Sequence, residues 1–223
     1  MRRTIGLIGI GEAPRAEQVA EIVRALPPDV AVVEMGALQD LTRAEIAQAR
    51  PEGAEDTLFT RLRDDTPIEV SHRAVTAGVN RRLAELEAMG IGAALLLCTG
   101  TFRGIAFRGL VLYPSAILDA MVRAVFTGGR LGVLVPLPEQ VGALTRKWEA
   151  EGVEVIATAL RPGAPGEDVD AAVASLAARS PDLLVMDCMG YTAADRARAR
   201  LGYDGPIALG ISSAARVVAE LIG

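Results

Sequence analysis

Short stretches that are apolar at nearly every residue recur along this chain, and between them lie segments whose apolar residues repeat with the period of a helix. That alternation predicts strands over 4–10, 30–35, 93–98, 131–135, 153–157, 183–187 and 207–210. It predicts helices over 15–25, 43–48, 56–63, 73–89, 115–126, 139–151, 168–179, 193–201 and 212–222. A strand with no polar side has no solvent-facing side, so it belongs in a parallel sheet covered by helices on both faces, which makes the fold α/β.

The order of elements repeats. A strand, a proline-containing loop, a helix, a second strand and a later strand ending in a cysteine occur twice, once up to Cys98 and once up to Cys188. From Thr4 to Cys98 is 94 positions and from Leu131 to Cys188 is 57; the excess of 37 maps to an insertion over 38–74, read as carrying its own helices. The expectation is two similar parallel-sheet halves with a cleft between them, residues 1–112 and 113–223. A helix over 115–126 crosses between them ahead of the Thr127-Gly128-Gly129 turn, and the C-terminal helix is available to pack on the first half.

Composition removes several function classes. With 223 residues and 51% hydrophobic content, the chain can bury a full core and is not disordered. The 23 basic side chains, all arginine except Lys147, are scattered, and the net charge is −5, so no nucleic-acid footprint is expected. The N-terminal MRRTIGLIGIGEAP has an apolar run too short for a secretion signal, and no later run reaches the roughly 18 apolar residues of a membrane span. The expected location is the cytoplasm, where two cysteines 90 positions apart read as free thiols.

Those two cysteines sit in matched contexts. LLLCTG (95–100) and VMDCMGYT (185–192) each place an apolar run, a cysteine, one residue and a glycine in order. Ligands of open α/β sheets bind beyond the carboxyl ends of the strands, where both cysteines fall. Either alone reads as a small buried hydrophobe. The pair, in matched halves of a chain with no other cysteine, reads as an acid/base couple in which one thiolate removes a proton beside a carboxylate and the opposite thiol returns one. This requires a thiol of lowered pKa. Thr99, Gly100 and Thr101 after the first cysteine, and Gly190, Tyr191 and Thr192 after the second, offer amides and hydroxyls for the carboxylate.

Several stretches together resemble the AroM family: TIGLIGIGEAPR, ARPEGAEDT, VSHR, YPSAIL, VLVPLPEQ, KWE and MDCMGYT. More remotely the chain is similar to the aspartate/glutamate/hydantoin racemase superfamily, built from two pseudo-symmetric α/β domains. That resemblance implies a site between the halves that uses neither pyridoxal phosphate nor metal, a small carboxylate-bearing substrate, and a catalytic pair falling on Cys98 and Cys188. It includes a one-cysteine decarboxylase and a maleate isomerase, and non-catalytic metabolite binding stays open. The chain departs from the amino-acid racemases in having Met189 and Gly190 after Cys188 where they have a Thr-His pair. The oligomeric state is left open, a homo-oligomer included.

Other residues have two readings each. Glu12 and Arg15 flank Pro14, placed in the first turn of a helix; Arg15 either clamps a carboxylate or is an exposed helix start. Gly6, Gly9 and Gly11 with Glu34 suggest a dinucleotide fingerprint, but Pro14 stands where its third glycine belongs, and tight packing is the better reading. His72, the sole histidine, follows a candidate N-cap, Ser71, and reads as structural; with Cys98 and Cys188 it lacks the local spacing of a zinc site. Asp187 points away from the Cys188 face and accepts loop amides. Ser212 and Ser213 cap the last helix, and Trp148 beside Lys147 is a packing anchor.

Overall fold

The computed structural model describes residues 3–223, the side chain of Ala54 excepted; Met1 and Arg2, the start of the N-terminal run weighed as a leader, lie outside the described residues. Two four-stranded parallel sheets form the frame. The first contains β1 (Arg3–Gly9), β2 (Val30–Gly36), β5 (Ala93–Leu97) and β6 (Leu110–Leu112), in the order β2-β1-β5-β6. The second contains β7 (Gly129–Val135), β8 (Val153–Ala159), β9 (Leu183–Met186) and β10 (Ile207–Leu209), in the order β10-β9-β7-β8. Each half therefore has its second strand on one side of its first and its third and fourth on the other. The reversal of strand order lies between β1 and β5 in one sheet and between β7 and β9 in the other, and such a crevice is where α/β sheets bind ligands.

The strands are apolar on both sides because both sides are covered. Ile5, Leu7, Leu95 and Leu97 share a core with Leu134, Leu184 and Met186, closed by Ile211, Ala214, Ala215 and Val218 of α8 (Gly210–Ile222). This last helix packs on both α1 (Ala16–Val23) and α4 (Pro114–Val125). Behind the first sheet, Ile8, Ala94 and Leu96 meet Val75, Val79 and Leu83 of α3 (His72–Ala88). Gly6 allows α3 to come close, since a Cβ there would lie 2.2 Å from Leu86 Cδ1. Behind the second sheet, Val133, Val135 and Val185 meet Trp148 of α5 (Val141–Trp148). The second half is completed by α6 (Gly166–Ala177) and α7 (Ala193–Ala199).

The insertion departs from the expectation of helices alone. Before α3 opens at His72, only α2 (Arg43–Gln48) and a single 3-10 turn (Ala54–Asp56) are helical; the segment expected as a helix over 56–63 is instead β3 (Thr57–Arg61), paired antiparallel with β4 (Pro67–Ser71). The pattern Thr57-Leu58-Phe59-Thr60-Arg61 buries alternate residues, Leu58 and Thr60, which is the period of a half-buried strand. The turn between the strands places Asp65 at φ 61, where an aspartate is more readily accommodated than most residues.

Other expectations shift at the edges. Pro14 precedes the first helix rather than opening it, because α1 starts at Ala16 with Arg15 at its N-cap. Ser71 does cap α3, accepting the Arg73 amide at 3.2 Å. Ser212 and Ser213 are not caps: α8 already begins at Gly210, and both hydroxyls donate back to the Leu209 carbonyl, at 3.2 and 2.9 Å. Glu34 is unavailable for a ribose, since its carboxylate accepts the Arg15 amide. No described helix is long and apolar enough to cross a membrane.

Candidate active site

Cys98 follows directly on β5 and Cys188 lies just beyond β9, at matching positions of the two sheets. Both are free thiols, and both line one cavity of about 640 Å³ between the halves. Their local geometry is the same. The Gly100 amide donates to Cys98 Sγ at 3.2 Å, and the Gly190 amide donates to Cys188 Sγ at 3.4 Å. In each loop the chain folds back over the sulfur within two residues. Only glycine fits the second loop without a shift, because a Cβ at position 190 would lie 2.7 Å from Pro162.

The thiols are not acidic in this state, which corrects the expectation of a lowered pKa. Each keeps some surface at the cavity wall, but the surrounding protein leaves too little water to solvate a thiolate. Desolvation pushes Cys98 from 9.0 up to about 11, opposed by the Gly100 amide and Lys147 and reinforced by Asp187. Desolvation likewise takes Cys188 to about 12, opposed by Gly190 and Arg61 and reinforced by the negative charges of Cys98 and Asp187. The two sulfurs sense each other, so ionising one holds the proton on the other.

Asp187 is fully buried, and its carboxylate is held against α5, away from the cavity that Cys188 lines. Its partners are side chains of α5, not loop amides. Lys147 Nζ and Trp148 Nε1 donate to Oδ2 at 2.7 and 2.8 Å. Trp148 is 2% exposed and is the packing anchor expected of it.

The remaining sequence-derived site residues divide. Pro14, Arg15, Gly190 and Thr192 line the cavity with the thiols. Arg15 is neither an exposed helix start nor free to clamp a ligand: its guanidinium donates to the carbonyls of Arg61 and Leu62 and pairs with Asp65 at 3.2 Å. Glu12 is turned to the insertion, accepting the Arg63 amide at 2.8 Å. Thr99 donates to the Asp187 carbonyl at 3.1 Å, which ties the first cysteine loop to the second half. Thr101 is exposed and lies at a separate surface pocket, where its carbonyl contacts His72 Nε2 at 2.8 Å; His72 stacks there on Phe102 and does not line the thiols' cavity. Tyr191 is not a substrate group, being 1% exposed with its hydroxyl donated to the Leu160 carbonyl. Thr192 caps α7 in a reciprocal pair with Asp195.

The sequence reading missed one wall entirely. Phe59, Thr60, Arg61 and Arg63 of the hairpin cover the cavity from the first half, and Pro162 and Gly163 face them from the second. Arg61 reaches across to donate to the Pro162 carbonyl, and its other side-chain nitrogens make no hydrogen bond among the described residues. From α1, Gln18 donates to the Met189 carbonyl at 3.2 Å, a further tie between the halves. Among the described residues, no group of three or more His, Cys, Asp or Glu is arranged to hold a metal ion.

Two parallel-sheet halves facing each other across such a cleft are an arrangement this chain shares with solved racemase structures. The chain belongs to the AroM protein family, which matches it over residues 5–222. It is similar in structure to allantoin racemase from Klebsiella pneumoniae, with TM-score 0.65 and 13% identity over 99% of this chain and 87% of that one. It is likewise similar to Picrophilus torridus aspartate racemase, with TM-score 0.63 and 12% identity over 99% and 94% of the two chains. The maleate isomerase Iso from Pseudomonas putida S16 gives TM-score 0.62 and 13% identity over 98% and 92%. At these identities the likeness is one of fold. No curated protein matches the sequence.

Proposed function

We propose that this protein is a cofactor-independent enzyme of the racemase or isomerase type, in which Cys98 and Cys188 move protons beside a carboxylate of a small molecule. One observation carries the reading: two thiols in equivalent loops, each accepting the amide two residues on, open into one cavity at the crevice between the halves. The structural relatives support it, since three that share this fold carry the names of racemases and an isomerase. Mutual repulsion of the thiolates favours one thiolate and one thiol, which is the state an acid/base pair requires. Arg61, with unused donors beside Cys188, holds the carboxylate; the Gly190 and Thr192 loop forms the rest of that subsite. The halves 1–112 and 113–223 act as the two jaws, in the cytoplasm.

Because burial holds both thiols protonated, only a small fraction is thiolate at neutral pH, and turnover rises with pH until one thiol ionises. The same burial is the specific observation favouring a second reading, a binding protein that keeps the cleft without chemistry. Incubation in deuterated water with amino acids, hydantoins and substituted malonates separates the two. The enzyme exchanges the proton beside the carboxylate of at least one of them and loses that exchange in Cys98→Ser and Cys188→Ser; the binder exchanges none, and a ligand that stabilises it does so equally in the double Cys→Ser variant.

A further inference from the structure

The pair Lys147–Asp187 lies outside the cavity, and its placement is unusual. Lys147 is the only lysine of the chain, and Asp187 immediately precedes Cys188. The Asp187 side chain is fully buried while that of Lys147 is 22% exposed. Asp187 is also the junction of three elements: its amide donates to Leu134 of β7, its carbonyl accepts the Thr99 hydroxyl of the first cysteine loop, and its carboxylate accepts α5 through Lys147 and Trp148. Its second carboxylate oxygen, Oδ1, is buried with no hydrogen-bond partner among the described residues. A buried acid with one oxygen unsatisfied is costly, and a neutral residue would serve a purely architectural role better.

We propose that Lys147 and Asp187 form a positioning unit that joins the two cysteine loops and sets the charge both thiols experience. The function proposed above gives this unit its purpose, but its physical effect on the thiols is independent of any substrate. The other charges facing the thiols are Arg61 from the hairpin and the thiols themselves, with Arg15, Glu17, Arg63, Asp65 and Asp195 around the cavity and the buried Tyr191 hydroxyl behind it. Asp187 acts on both thiols and opposes their ionisation; Lys147 acts on Cys98 and favours it. Trp148 keeps the unit in register, its indole N–H on the carboxylate and its ring under the ammonium at 4.9 Å.

The test is the rate of iodoacetamide alkylation at pH 9, read separately at Cys98 and Cys188 by mass spectrometry of native protein. In Asp187→Asn both thiols are expected to react about tenfold faster, one pKa unit being a tenfold change in thiolate. In Lys147→Gln, Cys98 is expected to react several-fold more slowly, and Lys147→Arg restores it to within about twofold. A purely structural unit gives a different pattern, because loosening the loop speeds both thiols in both variants. That pattern, or unchanged rates in Asp187→Asn, overturns the proposal. If a single variant does not fold, the double Asp187→Asn/Lys147→Gln variant strands no charge; faster Cys188 with Cys98 within about twofold supports the unit, and any other pattern rejects it. Absence of proton exchange with every substrate would reject the enzyme while leaving these rates as they are.

Discussion

The two halves share a strand order and a cysteine position, yet they are equipped differently. The first half carries the hairpin β3–β4, which puts Phe59, Thr60, Arg61 and Arg63 over the cavity. The second half has no such hairpin and instead pairs Lys147 with the buried Asp187 behind its cysteine loop. Repetition of a fold thus gives two equivalently placed thiols, and the additions to each copy differentiate them: the first half sets cations over the cavity, and the second sets an ion pair behind its cysteine loop.

The largest effect tests the equivalence of the thiols. If they act on opposite faces of one carbon, Cys98→Ser and Cys188→Ser should each lower interconversion of enantiomers on the order of a thousandfold, the usual worth of a positioned acid or base. Loss in only one variant would break the symmetry and favour one-cysteine chemistry. Next comes the cover. Arg61→Ala is expected to raise KM by roughly tenfold to a hundredfold, the value of a charge-assisted hydrogen bond, with folding retained. Arg15→Ala should instead lower stability by about 1–3 kcal/mol, measured by urea unfolding, because its partners are the carbonyls that anchor the hairpin.

Stability against pH sharpens the comparison further. The folded thiols have raised pKa values, so their contribution is complete below the unfolded thiol's pKa and is lost as pH rises toward about 11 for Cys98 and about 12 for Cys188. Unfolding free energy should therefore fall above about pH 9, by on the order of 3 kcal/mol for Cys98 and about 4 kcal/mol for Cys188 once both folded values are passed. The double Cys→Ser variant should show a shallower decline. The smallest effect is expected of Tyr191→Phe, about 1 kcal/mol of stability with catalysis unchanged, since its hydroxyl serves Leu160 alone.

What the sequence reveals and what it hides follow from the range of the interactions. Strands buried on both faces and the matched LLLCTG and VMDCMGYT contexts are local patterns, so the α/β halves and the placement of both thiols could be read directly. The hairpin was hidden because its alternation spans five residues between charged flanks, and with it went Arg61. The turn Arg63-Asp64-Asp65-Thr66-Pro67 was the available signal. Strand β6 has three residues, too few to show any period. Adjacency to a cysteine misled at Thr101 and Tyr191, since the chain reverses around each thiol and carries one to the surface and the other into the core. Thiol pKa values were out of reach because desolvation depends on neighbours distant in sequence.

The central claim is that Cys98 and Cys188 form one coupled site, and the direct test is the ionisation curve of Cys188, followed by alkylation rate against pH in the wild type and in Cys98→Ser. The account expects almost no reaction at pH 7, ionisation near 12 in the wild type, and a curve displaced to lower pH once the neighbouring thiol is gone. A Cys188 that reacts at neutral pH like an exposed thiol, or whose curve is the same with and without Cys98, would contradict it.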